Sequence, residues 1–398
     1  MQIDIDSLET YNTLARDGAQ SAAESLSQLT GIDTHVEVTN VSLMTPGDLE
    51  YEYVGSEFSG VRIELGGALT GETLLTFDEA ARSVIAGTLA PEEPTDIRRS
   101  SIEEVGNIMT SGFIDGWADH LQTTIDISPP TFLSGSGADV LAASAAAEDE
   151  QVFVFRSRVE SAAESIDFHI LFVPERDSLI EALGPTGEES VSFEKLEVFN
   201  EMTKHGAEQA AENITTMTGL ETDVEVNRMS FVPIDDVPAT VGDRRYIGTV
   251  MEYTGKPSGY LAILFDQPSA EAVVDALVPM ETEGEWSEME QSAVKELGNI
   301  MTSGFIDGWA NVLESSIDHS PPEFVSDMGS SIMSPIVGRM ARTQEHAFLL
   351  DSMIHTDGDG AFHCEILALP DESELREVLR ELLVERADRT QVDPSEVF

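Results

Sequence analysis

Thirteen consecutive residues, Gly106 to Ala118, recur unchanged at Gly298 to Ala310, and in both copies a glutamate stands just upstream, at Glu104 and Glu296. An exact repeat this long, offset by 192 residues in a chain of 398, divides the polypeptide into two tandem domains, each with room for a full core. On a helix turning about 100° per residue, Ser100, Glu104, Asn107, Ser111 and Asp115 fall within a strip roughly 80° wide, with Ile102, Val105, Met109 and Phe113 opposite. One face is therefore core and the other is a polar row. Gly106, Gly112 and Gly116 sit toward the apolar side at about 1 kcal/mol of helix propensity each, a cost that implies another backbone packed closely there.

Charge narrows the classes of partner. Against 75 acidic residues stand 21 basic ones, of which only Lys195, Lys204, Lys256 and Lys295 are lysine. A net charge of -54 repels nucleic-acid backbones and anionic membranes, so neither is an expected partner. The acids are dispersed among 41% hydrophobic residues in regular patterns, which describes a folded acidic surface and not an unfolded acidic tail. The composition resembles that of cytosolic proteins from salt-accumulating halophilic archaea, where screening relieves such self-repulsion. A lone cysteine, Cys364, forms no internal disulfide, and no Cys/His metal spacing is present. The opening Met-Gln-Ile-Asp-Ile-Asp has no basic or apolar signal region and no apolar run reaches 18 residues, so a cytoplasmic location is expected.

Read in order, residues 7–30 predict a helix capped by Ser7 and stopped by Gly31, followed by a strand over 34–44 with a register break near Asn40. Pro46-Gly47-Asp48 predicts a turn, and strands over 58–65 and 67–77 are expected to pair through Gly66-Gly67 in a small antiparallel meander. A short helix over 78–89, the central helix over 96–122, an extended segment over 125–132, a Gly/Ser/Ala-rich loop over 135–149, strands over 152–159 and 165–173 and a helix over 174–183 complete the first half. Residues 184–190 have linker composition, giving expected domains at 1–186 and 191–398. The second half repeats the programme: helix 194–217, strands 222–232, 245–253 and 259–265, helices 268–277 and 287–314, strands 345–354 and 361–369, and a helix over 371–386. Its segment Ile317-Asp-His-Ser-Pro-Pro-Glu-Phe324 matches Ile125-Asp-Ile-Ser-Pro-Pro-Thr-Phe132.

A further level of repetition lies inside each domain. Glu9 and Asn12, Glu104 and Asn107, Glu197 and Asn200, Glu296 and Asn299 are four Glu-x-x-Asn pairs, all on long helices. Each domain thus reads as α+β, a pseudo-two-fold antiparallel sheet with two long motif helices. Three residues apart on a helix, a carboxylate and an amide stand side by side. The amide does not titrate, but it donates and accepts at once and so can hold a water. That suits a phosphatase whose partner already supplies the metal and the phosphoryl group.

Ser100-x3-Glu104-x2-Asn107 and Ser292-x3-Glu296-x2-Asn299, each running into a glycine-containing helix, resemble the (Asp/Ser)-x3-Glu-x2-Asn pattern of the CheC/CheX/FliY chemotaxis phosphatases, across essentially the whole chain as two CheC-like domains. The resemblance implies hydrolysis of the aspartyl phosphate on the response regulator CheY. Asn107 and Asn299 would orient the attacking water, Glu104 and Glu296 would pair with the regulator's lysine, and Ser100 and Ser292 would support docking or cap the helix. It implies no metal or cofactor of the chain's own, with Mg2+ on the phosphorylated partner. Glu9 with Asn12 and Glu197 with Asn200 are degenerate sites, since Ile5 and Phe193 replace the serine and Tyr11 and Phe199 replace the glycine before Asn.

A solvated helix face explains any one Glu-x-x-Asn pair; repetition with glycine support argues for a function. Trp117, Trp309, Met44, Met229 and Met353 are expected in cores. His363 and Cys364 adjoin on a strand, point to opposite faces and read as structural. The alternative to catalysis is a non-catalytic adaptor that binds CheD or a motor-linked component, or that holds CheY without hydrolysis.

Overall fold

A computed structural model describes residues 2–3, 5–51, 57–90, 95–136, 151–161, 167–183, 191–278, 286–313, 315–355 and 362–382. The chain divides into two compact units, one spanning Ile3–Glu189 and the other centred on Ser190–Phe398. The linker at 184–190, the tail after 382 and most of the small-residue loop, 137–149, lie outside the described residues.

The first unit runs α1 (Ile5–Thr30), β1 (His35–Met44), α2 (Pro46–Tyr51), β2 (Glu57–Gly67), β3 (Gly71–Phe77), α3 (Glu79–Leu89), α4 (Thr95–Leu121), β4 (Ile125–Ile127), β5 (Thr131–Ser136), β6 (Val152–Glu160), β7 (Asp167–Pro174) and α5 (Arg176–Leu183). Its sheet is antiparallel in the order β1-β6-β7-β3-β2, and both β4 and β5 pair with the outer edge of β2. Exchanging the half that begins with α1 for the half that begins with α4 reverses this order onto itself. The sheet therefore has the pseudo-two-fold symmetry that the paired motifs imply.

The second unit repeats it: α6 (Phe193–Thr218), β8 (Asp223–Pro233), α7 (Val237–Val241), β9 (Arg245–Thr254), β10 (Gly259–Asp266), α8 (Gln267–Leu277), α9 (Glu288–Leu313), β11 (Asp318–His319), β12 (Glu323–Met328), α10 (Gly329–Met340), β13 (His346–His355), β14 (His363–Pro370) and α11 (Glu372–Glu381). The order is β8-β13-β14-β10-β9, with β11 and β12 on the edge of β9.

Several local expectations are corrected. The first three strands are not a meander, because β1 pairs with β6, far away in sequence. Gly66 and Gly67 are not a hairpin turn: β2 runs through them to pair with Asp126 and Ile125. The turn is Ala68-Leu69-Thr70, after which Gly71, at φ 140°, passes so close to the Val173 carbonyl that no Cβ would fit. The register break in β1 falls between Val36 and Val38, before Asn40. Pro46-Gly47-Asp48 opens a short helix, with Asp48 accepting from the Thr45 amide at 3.0 Å, and α1 begins at Ile5, which places Ser7 inside its first turn. Helix α10 was not foreseen, since Pro335 and Gly338 obscure an apolar face of Ile332, Met333, Ile336, Val337 and Met340.

The long helices lie antiparallel on one face of each sheet, and the repeated glycines explain their closeness. A Cβ on Gly106 would stand 2.5 Å from Val61 of β2, and one on Gly298 would overlap Thr249 of β9. Gly116 meets Gly18 of α1, and Gly308 meets Gly206 of α6. The cores beneath hold Trp117 and Trp309, both fully buried; Met44 is buried in a separate cluster with Leu74, Val154 and Leu171 on the other face of the sheet, Met229 is buried and Met353 half-buried. These contacts separate two glycines of one helix pair. A Cβ on Gly18 would stand 2.7 Å from the Phe113 carbonyl oxygen, whereas one on Gly112 meets nothing nearer than 3.6 Å. Gly18→Ala is expected to destabilise the first domain by about 1–3 kcal/mol through overpacking. Gly112→Ala should be neutral or gain up to about 1 kcal/mol. Urea unfolding of both variants in molar KCl checks the contrast, and equal losses would refute it.

Candidate functional site

The polar row of α4 is held rigid from behind. Ile102, Val105, Met109, Phe113 and Trp117 are buried, leaving Ser100 and Glu104 exposed and Asn107 half-buried at the surface. One turn later the Ser111 hydroxyl donates to the Asn107 carbonyl oxygen at 2.7 Å. The row on α9 is the same: Ser292 and Glu296 exposed, Asn299 half-buried, and Ser303 donating to the Asn299 carbonyl oxygen at 2.9 Å. The carboxylate and the carboxamide of each pair thus reach solvent from a stiff helix, the carboxylate more exposed.

The two serines that open the pattern do not cap their helices. Ser100 lies in the second turn of α4, and Ser292 donates within α9 to the Glu288 carbonyl oxygen at 2.7 Å. Capping of α9 falls to Ser287 and Glu290, whose side chains and amides bond reciprocally at 3.4 and 2.6 Å.

The remaining two pairs are placed differently. Asn12 and Asn200 are each only 2% exposed. Asn12 Nδ2 donates to the Thr39 carbonyl oxygen of β1 at 3.2 Å. Asn200 accepts from Asn227 of β8 at 3.1 Å, and Asn227 accepts in turn from Ser352 at 2.8 Å. These amides fasten a helix to the first strand of its sheet. Tyr11 and Phe199, in the position of the motif glycine, fill the core against Trp117 and Trp309, with ring centroids 6.2 and 5.4 Å apart. Glu9 and Glu197 are half-buried beside them.

Sequence reading missed one residue at the second row. His319 of β11 reaches α9, its Nε2 3.2 Å from Ser303 Oγ and its Nδ1 3.1 Å from the Ser320 carbonyl oxygen. The matched segments carried the signal, because Ile127 occupies that place in the first domain. Elsewhere, a cleft of about 400 Å³ lined by Arg62, Glu64, Ser128, Pro129 and Thr131 opens in the first domain. Arg62 follows Val61, which faces Gly106, so by strand alternation it points away from α4 and the cleft is no part of the motif row. His363 and Cys364 take opposite faces as expected, His363 bonded to Glu365 at 2.8 Å and Cys364 buried.

The CheC-like family model matches residues 97–134 and 289–326, which are the two motif helices with the strands that follow them. A Halobacterium salinarum protein provisionally named CheY-P phosphatase CheC1 is 36% identical over 183 residues, 46% of this chain and 92% of that protein. The chain belongs to the CheC-like family. Bacillus subtilis CheC, named as a CheY-P phosphatase, is 23% identical over 171 residues, 41% of this chain and 81% of its own length. Among solved structures, Thermotoga maritima FliY aligns at a TM-score of 0.40 and 21% identity, covering 46% of this chain and 96% of FliY. The family model matches twice, and the two curated relatives span 46% and 41% of the chain, in keeping with two CheC-like domains in tandem. No described helix is long and apolar enough to cross a membrane.

Proposed function

We propose that this CheC-like protein dephosphorylates a phosphorylated CheY-type response regulator, using the α4 and α9 faces as two separate sites. The observation that carries the reading is the pairing of an exposed glutamate with a half-exposed asparagine at the same place on both rigid helices. The names of the family relatives support it.

On this reading Glu104 or Glu296 pairs with the regulator's lysine and fixes the approach of the helix. The carboxamide of Asn107 or Asn299 then accepts from and donates to the attacking water, holding it in line with the phosphorus. The water oxygen bonds to phosphorus as the bond to the aspartyl oxygen breaks, yielding inorganic phosphate and a free carboxylate on the regulator. Mg2+ on the regulator would supply neutralisation of the phosphoryl charge, and this chain supplies position without a titrating group. Ser100 and Ser292, exposed on the same row, extend the docking face.

The buried Asn12 and Asn200 are structural on this reading. Asn12→Ala should lower first-domain stability by about 1–3 kcal/mol, because the Thr39 carbonyl loses its partner, while phosphate release stays at the wild-type rate. A drop in rate without a loss of stability would restore Asn12 to the chemistry.

The direct test is phosphate release from the cognate phosphorylated regulator in molar KCl, with and without the protein. Acceleration supports the phosphatase. An unchanged lifetime with the folded protein present sinks it and leaves an adaptor for CheD or a motor-linked component.

A further inference from the structure

The two motif faces are not equivalent. The segment Ile125-Asp126-Ile127 of the first domain becomes Ile317-Asp318-His319 in the second. His319 stands opposite Tyr253 on β9 and touches α9 through Ser303. Three contacts meet there: Nδ1 to the Ser320 carbonyl oxygen at 3.1 Å, Nε2 to Ser303 Oγ at 3.2 Å, and Ser303 Oγ to the Asn299 carbonyl oxygen at 2.9 Å. A carbonyl oxygen only accepts, so the first contact requires a proton on Nδ1. The single hydroxyl proton of Ser303 is committed to Asn299, so Nε2 must donate as well. All three bonds therefore coexist only with an imidazolium. A neutral ring protonated on Nε2 would keep both α9 bonds and give up only the Ser320 carbonyl, whereas one that keeps its proton on Nδ1 turns Nε2 into an acceptor competing with the Asn299 carbonyl for the one Ser303 proton; it is the second tautomer that loosens the turn carrying Asn299.

Resting on the phosphatase reading above, we propose that His319 is a positioning residue of the second site, acting through Ser303 on the helical turn that carries Asn299, and that it makes the second domain alone respond to pH. In the first domain Ser111 bonds to Asn107 in the same way, and Ile127 offers no hydrogen bond. The ionisable groups flanking Ser303 on α9 are Glu296 and Asp307, those at and beside the ring's partner on β9 are Tyr253 and Glu252, and Asp318 precedes it on its own strand. All four carboxylates are exposed. Burial pushes the Tyr253 phenol far up, with Glu374 and Asp371 adding to it, so it stays neutral while an imidazole titrates.

The experiment uses the full chain with one site silenced at a time. Asn107→Ala leaves the second site and Asn299→Ala the first, and regulator dephosphorylation by each is followed between about pH 6 and 8. Taking the ratio of the two rates cancels the regulator's own pH response. The ratio of second-site to first-site rate should fall about threefold to fivefold as pH rises, the worth of one net hydrogen bond. His319→Gln in the Asn107→Ala background, which keeps a donor and removes the titration, should flatten the profile. Ile127→His in the Asn299→Ala background should introduce a fall. A constant ratio, or a fall that survives His319→Gln, overturns the proposal.

Should neither single-site protein accelerate dephosphorylation, the phosphatase reading fails, and the coupling is then read directly. In the imidazole NMR spectrum of the histidine-labelled chain, the signal deleted by His319→Gln should titrate with a shifted midpoint in Ser303→Ala. An unshifted midpoint overturns the coupling by itself.

Discussion

Replacing Asn107 and Asn299 together by alanine is expected to abolish the acceleration of regulator dephosphorylation, a loss on the order of 100-fold or more at each site. The amide both accepts from and donates to one water without changing charge, and alanine leaves that water unheld. Each single substitution should remove only its own domain's share, because the two sites lie in separate compact units. Asn107→Asp is the sharper control. It keeps the shape and an acceptor but loses the donors and adds a negative charge one turn from Glu104, so it should fail as completely as alanine. Folding is expected to be untouched, since neither side chain is part of a core. Circular dichroism with phosphate release from the phosphorylated regulator checks both halves of the statement. Wild-type acceleration persisting in the double variant would move the chemistry off these helices.

How far the sequence carried this picture depends on the range of the interactions. Helix α4 was legible nearly to the residue because its periodicity, its glycines and its repetition in α9 agree, and α3 was legible because Asp78 accepts from the Ala81 amide at 2.6 Å as a helix cap should. Sheet order was not legible. The Thr39 and Ser157 hydroxyls meet at 3.0 Å across 118 residues, and no local propensity encodes that pairing. The Glu-x-x-Asn pair recurs four times, and Tyr11 and Phe199 already marked two of the copies as degenerate: an aromatic directly before the asparagine drives that side of the helix into the core and takes the amide with it. His319 escaped notice because its role arises only when β11 is laid beside α9, sixteen residues from Ser303.

The largest stability effect is expected on the sheet face away from the motif helices, where Arg228 of β8 lies opposite Asp351 of β13. Their side chains are 15% and 5% exposed, and Nη2 stands 2.5 Å from Oδ2. Burial holds the Asp351 carboxyl above the ordinary carboxylate range, while Arg228 pulls the other way. Arg228→Ala removes the opposing charge and leaves a buried acid without its guanidinium partner and still beside Glu365, at an expected cost of about 3–5 kcal/mol to the second domain. The sign of the pH dependence follows. A carboxyl raised in the folded state favours folding below its unfolded value and loses that contribution as pH climbs through the folded one. Without Arg228 the carboxyl is pushed higher still, so the deficit should be larger at about pH 8 than at about pH 5. The double variant Arg228→Met/Asp351→Leu, with no charge left to bury, should recover most of the loss. The first domain supplies an internal control, because its sheet places the uncharged Asn40 opposite Arg156 at the corresponding register. Urea unfolding at both pH values should therefore move one transition and leave the other in place. A deficit that shrinks with rising pH, or a double variant no more stable than Arg228→Ala, would show that Asp351 is satisfied by its other neighbours and that the pair does not hold the sheet.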